Sequence, residues 1–173
     1  MVLLCAIYTV GVSVWKMVTA QMQMTANSTF VNELVDFSVD KHLGAARQDV
    51  VVPNEGEAAE LTGIEGDVEK QAQALSRMLG CTNVVITLGP KGAFVTDGQR
   101  SEIISAPKVA AIDTIGAGDT MCANLATRLA AGDDIFTATR FGVYAATLKV
   151  TRKGAAMASP TPSEVQNFIA QNP

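Results

Sequence analysis

The chain has 173 residues, 48% of them hydrophobic and 17% charged, with a formal net charge of −4. That length and balance fit one globular domain with a buried core and exclude a disordered chain, while the acidic surplus leaves no basic face for nucleic acid. Cys5, Cys81 and Cys122 show no zinc spacing, which argues against a disulfide framework and for a reducing, cytoplasmic setting.

Residues 2–15 (VLLCAIYTVGVSVW) are largely apolar but lack a preceding positive charge. They fall short of the roughly 20 residues of a membrane span, so a buried strand or strand-turn-strand is expected and no membrane contact. Met17, Met22 and Met24 read as packing residues. Residues 32–40 could form a helical turn or two. His42 is the one histidine, read as a solvated loop residue, so a Ser-His-Asp triad cannot readily be assembled. Residues 1–48 form an unassigned segment; the organised region is 49–173.

Residues 49–52 are a short β-branched run, followed by Pro53 and a helix opening at Asn54. Residues 67–79 predict a second helix, with Val68, Ala72, Leu75 and Leu79 on one face and Gly80 as its stop. Residues 83–88 (NVVITL) predict a strand buried on both faces, as in parallel sheets. Gly89-Pro90-Lys91-Gly92 is a tight turn into a strand at 93–96. Asp97-Gly98 signals a hairpin, and residues 101–105 pair back. A last strand, 109–112, is expected to deliver the turn Asp113-Thr114-Ile115-Gly116-Ala117-Gly118-Asp119 into a helix over 120–131, closed by Gly132. Asp133 or Asp134 caps another helix reaching about Leu148, with Ile135, Thr139, Gly142 and Ala146 on a lean face. Thr161-Pro162-Ser163-Glu164 is a capping box that starts a final helix, with Val165, Phe168 and Ile169 inward. Strands alternating with helices predict an α/β fold, a three-layer α/β/α, Rossmann-like sheet.

The 113–119 turn carries the chemistry. Small residues at 116–118 let the backbone pack tightly and aim N–H groups outward, and a helix mouth adds unpaired donors and partial positive charge. Such a place suits an anion. Asp119 in the same turn either caps the helix or takes a proton from a group beside a bound phosphate. Asn54 with Glu57 three residues on is likewise a capping-box pattern, and Thr87-Leu88-Gly89-Pro90-Lys91-Gly92 taken alone is only a turn. Lys91 is no Walker lysine, because the surrounding P-loop pattern is absent.

Three stretches resemble one family in order: Asn54 to Glu57 within 52–63, the Asp113–Asp119 turn, and Val150-Thr151-Arg152-Lys153-Gly154-Ala155. Together they are similar to the C-terminal, nucleotide-binding half of the ribokinase-type (pfkB) sugar kinases, and the wording of 150–155 leans towards ribokinase itself. The resemblance implies a ribokinase-like fold and transfer of phosphate from ATP to a sugar hydroxyl, ribose giving ribose 5-phosphate. It implies Asp119 as base, with the N–H groups of Gly116, Ala117 and Gly118 as anion hole. Asn54, Thr87, Gly89, Gly92 and Gly118 would bind the nucleotide, and Glu57 would hold Mg²⁺ through water. A monovalent cation such as K⁺ would take the Asp113 side chain and the backbone carbonyls of Ile115, Lys149, Arg152 and Gly154. The small hydroxyl residue usual at the next cation position is Ala158 here, with Ser159 adjacent, and Val143 stands where the adenine is expected.

The family's sugar-binding motif and small lid sheet have no counterpart in residues 1–48. Two further readings therefore stand beside the sugar kinase: a non-catalytic, truncated relative that binds nucleotide or a partner chain, and a fructokinase or nucleoside kinase of the same fold. An incomplete sheet would expose strand edges and favour association or a homo-oligomer.

Overall fold

A computed structural model of the chain describes residues 50–154 and 158–172. The expectations for residues 1–48 lie outside the described residues. Those described fall in one compact unit, 47–173.

Four strands form the sheet: β1 (Val50–Val51), β2 (Asn83–Thr87), β3 (Gly92–Thr96) and β4 (Ser101–Ser105), in the order β1-β2-β3-β4. β1 runs parallel to β2, with Val51 opposite Val84, while β2–β3 and β3–β4 are antiparallel, with Val85 opposite Val95 and Phe94 opposite Ile103. The sheet is thus mixed, although the doubly buried run of β2 reads as parallel. Successive side chains of a strand point to opposite faces. On one face Val84, Ile86 and Phe94 pack with Ala58, Ala72 and Leu75. On the other, Val85, Ala93 and Val95 pack with Leu125, Phe141 and Val165.

Those two clusters define the helical layers. Helices α1 (Glu55–Thr62) and α2 (Val68–Leu79) cover the first face; α3 (Ala117–Ala130), α4 (Ile135–Lys149) and α5 (Pro162–Gln171) cover the second. The three-layer α/β/α arrangement follows, as expected from the sequence. Among the described residues no helix is long and apolar enough to cross a membrane.

Helix boundaries obey their caps. Asp67 accepts from the Lys70 N–H, Asp134 from those of Phe136 and Thr137, and Thr161 with Glu164 closes a full capping box. The α3/α4 contact depends on Gly142: a Cβ there would stand 2.9 Å from the Met121 carbonyl oxygen. The lean face of α4 is therefore a steric requirement.

One expected element is absent. Residues 109–112 form no strand; the N–H groups of Ile112 and Asp113 both donate to the carbonyl of Val150, at 2.7 and 3.1 Å. Ile112 thus donates to the residue after α4 instead of to a neighbouring strand. Helix α3 also starts at Ala117, ahead of the expected 120, because Gly116 adopts φ 78° and turns the chain into the helix at once.

Arg152 and Glu164 tie the loop after α4 to α5, with Nη2 and Oε1 2.6 Å apart. The guanidinium, then the Thr161 N–H and hydroxyl, lower the Glu164 carboxyl to about 2 from 4.5. A depressed folded-state value means the contribution is whole above about 4.5 and is lost as pH falls towards 2. Glu164→Gln should therefore flatten the fall in thermal midpoint between pH 4.5 and 2, measured against the parent chain by acid-range melting curves.

Candidate active site

Two groups of expected site residues assemble at loops of this domain. The first sits where β1 and β2 end. Thr87 donates its N–H to the Pro53 carbonyl at 2.9 Å and bridges to Asn54, which places the mouth of α1 beside the end of β2. Asn54 Oδ1 accepts from the Glu57 N–H and Glu57 Oε2 from the Asn54 N–H, each at 2.9 Å. The capping box is thus real. It uses one side-chain atom of each residue and leaves Asn54 Nδ2 and Glu57 Oε1 uncommitted among the described residues, so a cap and a ligand site can share this helix end.

The turn after β2 separates its glycines. Gly89 is exposed with φ 57°, and its carbonyl accepts the Gly92 N–H. Gly92 is buried, with φ 110°, and a Cβ there would lie 1.9 Å from the Ile104 carbonyl oxygen. Its role is to let β3 cross against β4, which accounts for it without any ligand. Val143, expected near an adenine, is 3% exposed and belongs to the core of α4. It faces packing, not a site.

The second group is the 113–119 turn with the segment 149–154. Asp113 Oδ1 accepts from the Ile115 N–H at 3.0 Å and Oδ2 from the Gly154 N–H at 2.9 Å. These amides, Gly154 first, hold the carboxyl below its ordinary value, with smaller help from the Lys149 and Lys153 charges. Asp113 is therefore a brace between two loops.

Of the three amides expected to form an anion hole, that of Ala117 donates to the Thr114 carbonyl at 3.2 Å. It is spent on the turn. Those of Gly116, Gly118 and Asp119 have no acceptor among the described residues, whereas Thr120 closes the first helical bond to the Gly116 carbonyl. Donors of Gly118 and Asp119 thus stand free at the mouth of a 14-residue helix. The Asp119 carboxylate lies exposed in that first turn with no partner among the described residues, so it does not cap the helix. Free donors and a free acceptor share one turn. An anion can be held by the former while the latter takes a proton from a neighbouring hydroxyl.

Among the described residues no group of three or more His, Cys, Asp or Glu side chains could hold an ion. The free Glu57 Oε1 fits a Mg²⁺ whose remaining ligands are water and nucleotide phosphate. A monovalent cation at 113–154 fits poorly. Both Asp113 oxygens already accept amides, and the Lys149 carbonyl accepts from the Arg152 N–H at 3.0 Å. The Lys149 ammonium itself is buried there and donates to the Asp113 carbonyl at 2.9 Å.

The Lys149 side chain escaped the sequence reading, which used only its carbonyl. A signal was present: Thr139, Gly142, Ala146 and Lys149 continue one helix face, so an inward lysine was foreseeable. Thr120 was also missed; 5% exposed, it lies 3.4 Å from the Ser159 hydroxyl. Among the described residues no hydrogen bond joins the site residues at the mouth of α1 to those of the 113–119 turn.

Residues 7–162 match the family described as pfkB family carbohydrate kinase. That match takes in much of the segment left unassigned from the sequence. The chain is 41% identical over 124 residues to a ribokinase of Haemophilus influenzae, covering 70% of this chain and 40% of that one. Two solved structures are similar. Arabidopsis thaliana ribokinase complexed with ribose and ATP has a TM-score of 0.64 at 33% identity, covering 70% of this chain and 40% of that one. Phosphofructokinase-2 of Escherichia coli in complex with potassium has a TM-score of 0.64 at 28% identity, covering 71% and 40%. The chain thus spans about 40% of the length of the relatives it matches.

Gly92 gives a direct check of the turn geometry. Gly92→Ala should destabilise the fold by about 2–4 kcal/mol, since it combines a left-handed backbone with a backbone clash. Gly89→Ala, with open space around its Cβ position, should cost clearly less in the same denaturant titration.

Proposed function

This chain belongs to the pfkB family of carbohydrate kinases, and we propose that its described domain binds ATP and supplies the phosphoryl-transfer residues of a ribokinase-type reaction. The observation that carries the reading is the α3 mouth, where the Gly118 and Asp119 amides and the Asp119 carboxylate are all uncommitted.

In this reading the sugar hydroxyl oxygen attacks the γ-phosphorus, the bond from that phosphorus to the ADP oxygen breaks, and Asp119 accepts the hydroxyl proton. The Gly118 and Asp119 amides stabilise the charge on the moving phosphoryl oxygens without reorganising. Asn54 Nδ2, Thr87 and the exposed backbone of Gly89 border the nucleotide. Gly92 contributes only through the turn it permits. Glu57 Oε1 would hold Mg²⁺, and the ion would supply neutralisation of phosphate charge.

Ribose is the acceptor favoured by the wording of residues 150–155 and by the relatives named ribokinase, while the phosphofructokinase relative keeps other sugars open. Residues clamping sugar hydroxyls are not among those described here. A nucleotide-binding chain without transfer is the second reading.

Calorimetric titration with ATP and Mg²⁺, with and without ribose, tests both. Tighter ATP binding with ribose, together with ribose-dependent ADP release that falls roughly 10²–10⁴-fold in Asp119→Asn, supports the kinase. Binding indifferent to ribose supports the second reading. No binding of ATP overturns both.

A further inference from the structure

Lys149 ends α4, is fully buried, and is the one buried lysine among the described residues. A buried ammonium must find charge or oxygen to remain ionised. Its Nζ donates to the Asp113 carbonyl at 2.9 Å, directly behind the carboxylate that braces the two loops. Around it, the Val150 carbonyl takes the N–H groups of Ile112 and Asp113, and the Gly154 N–H returns to Asp113 Oδ2. These hydrogen bonds join the 113–115 and 149–154 segments within the protein. A relative's structure holds potassium, and in this chain the Asp113 carboxylate and the Lys149 carbonyl, both expected to hold such an ion, already accept amides, while a resident positive charge sits on the Asp113 carbonyl.

We propose that the Lys149 ammonium stands in for a monovalent cation in this chain, joining the 113–115 and 149–154 segments so that the domain needs no potassium for its stability. An ammonium group and K⁺ carry the same charge and both seek oxygen ligands. The covalent one is always present and has no binding equilibrium. A second monocation would add repulsion at short range in a poorly solvated place. The inference stands on the geometry of these two segments. Loss of ATP binding would count against the proposed function and leave this test readable.

The test is thermal unfolding of the full chain at equal ionic strength, in about 100 mM KCl or tetramethylammonium chloride. The parent chain should melt at the same temperature in both. Lys149→Ala, which opens space, and Lys149→Met, which keeps bulk without charge, should melt lower in tetramethylammonium chloride. Both should regain about 2 °C or more in KCl, as a ligand binding only the folded state would give. A potassium-specific rise in the parent chain would overturn the proposal. So would variants that respond alike to both salts, or that fold in neither.

Discussion

Asp113 is gripped from three directions, and the site depends on that grip. Its carboxylate accepts the amides of Ile115 and Gly154, its carbonyl accepts the buried Lys149 ammonium, and its own N–H reaches the Val150 carbonyl. Two loops remote in sequence are thereby fixed to the C-terminal end of α4. Only then does Gly116, two residues after Thr114, turn the chain so that α3 begins with open amides. Depressing the Asp113 pKa is the electrostatic face of the same arrangement: the amides that position the loop also keep the carboxylate charged.

The core explains why this loop pair can be rigid while exposed. α4 is buried along most of its length, from Ile135 to Lys149, and packs against α3 at the distance Gly142 allows. Helix α5 is joined to the loop after α4 by the Arg152–Glu164 pair, and Tyr144 donates its hydroxyl to the Asn172 carbonyl at 2.8 Å. The apolar packing of Val85, Val95 and Val165 holds these helices against the sheet. Position is therefore set by packed secondary structure, and the turn only presents donors. The β1/β2 end works on the same plan: a capping box orients α1 and leaves one polar atom of each capping residue facing out.

The three-layer order was legible because its signals are local. Asn54, Asp67, Asp134 and Thr161 announce helix starts by cap chemistry, and the continuous burial of β2 and β3 was visible in their apolar runs. Residues 109–112 misled because an apolar stretch promises a strand only if a neighbouring strand accepts its amides; here the one amide bonded among the described residues, that of Ile112, goes to Val150. The 113–119 turn was legible as a helix mouth, but not which of its amides are free, since that depends on the Thr114 carbonyl claiming Ala117. Long-range packing, against Ile104 for Gly92 and within the core for Val143, was not visible in either residue's local sequence. Lys149 was read for its backbone because lysines are seldom fully buried.

The account stands on the helix mouth at 116–119 as a phosphate cradle. Amide-resolved NMR spectra of the full chain, recorded as ATP and Mg²⁺ are added, test it most directly. The largest shifts should fall on the amides of Gly118 and Asp119, with that of Ala117, already bonded to Thr114, moving less. Saturating nucleotide that leaves Gly118 and Asp119 unmoved while other amides shift would contradict it.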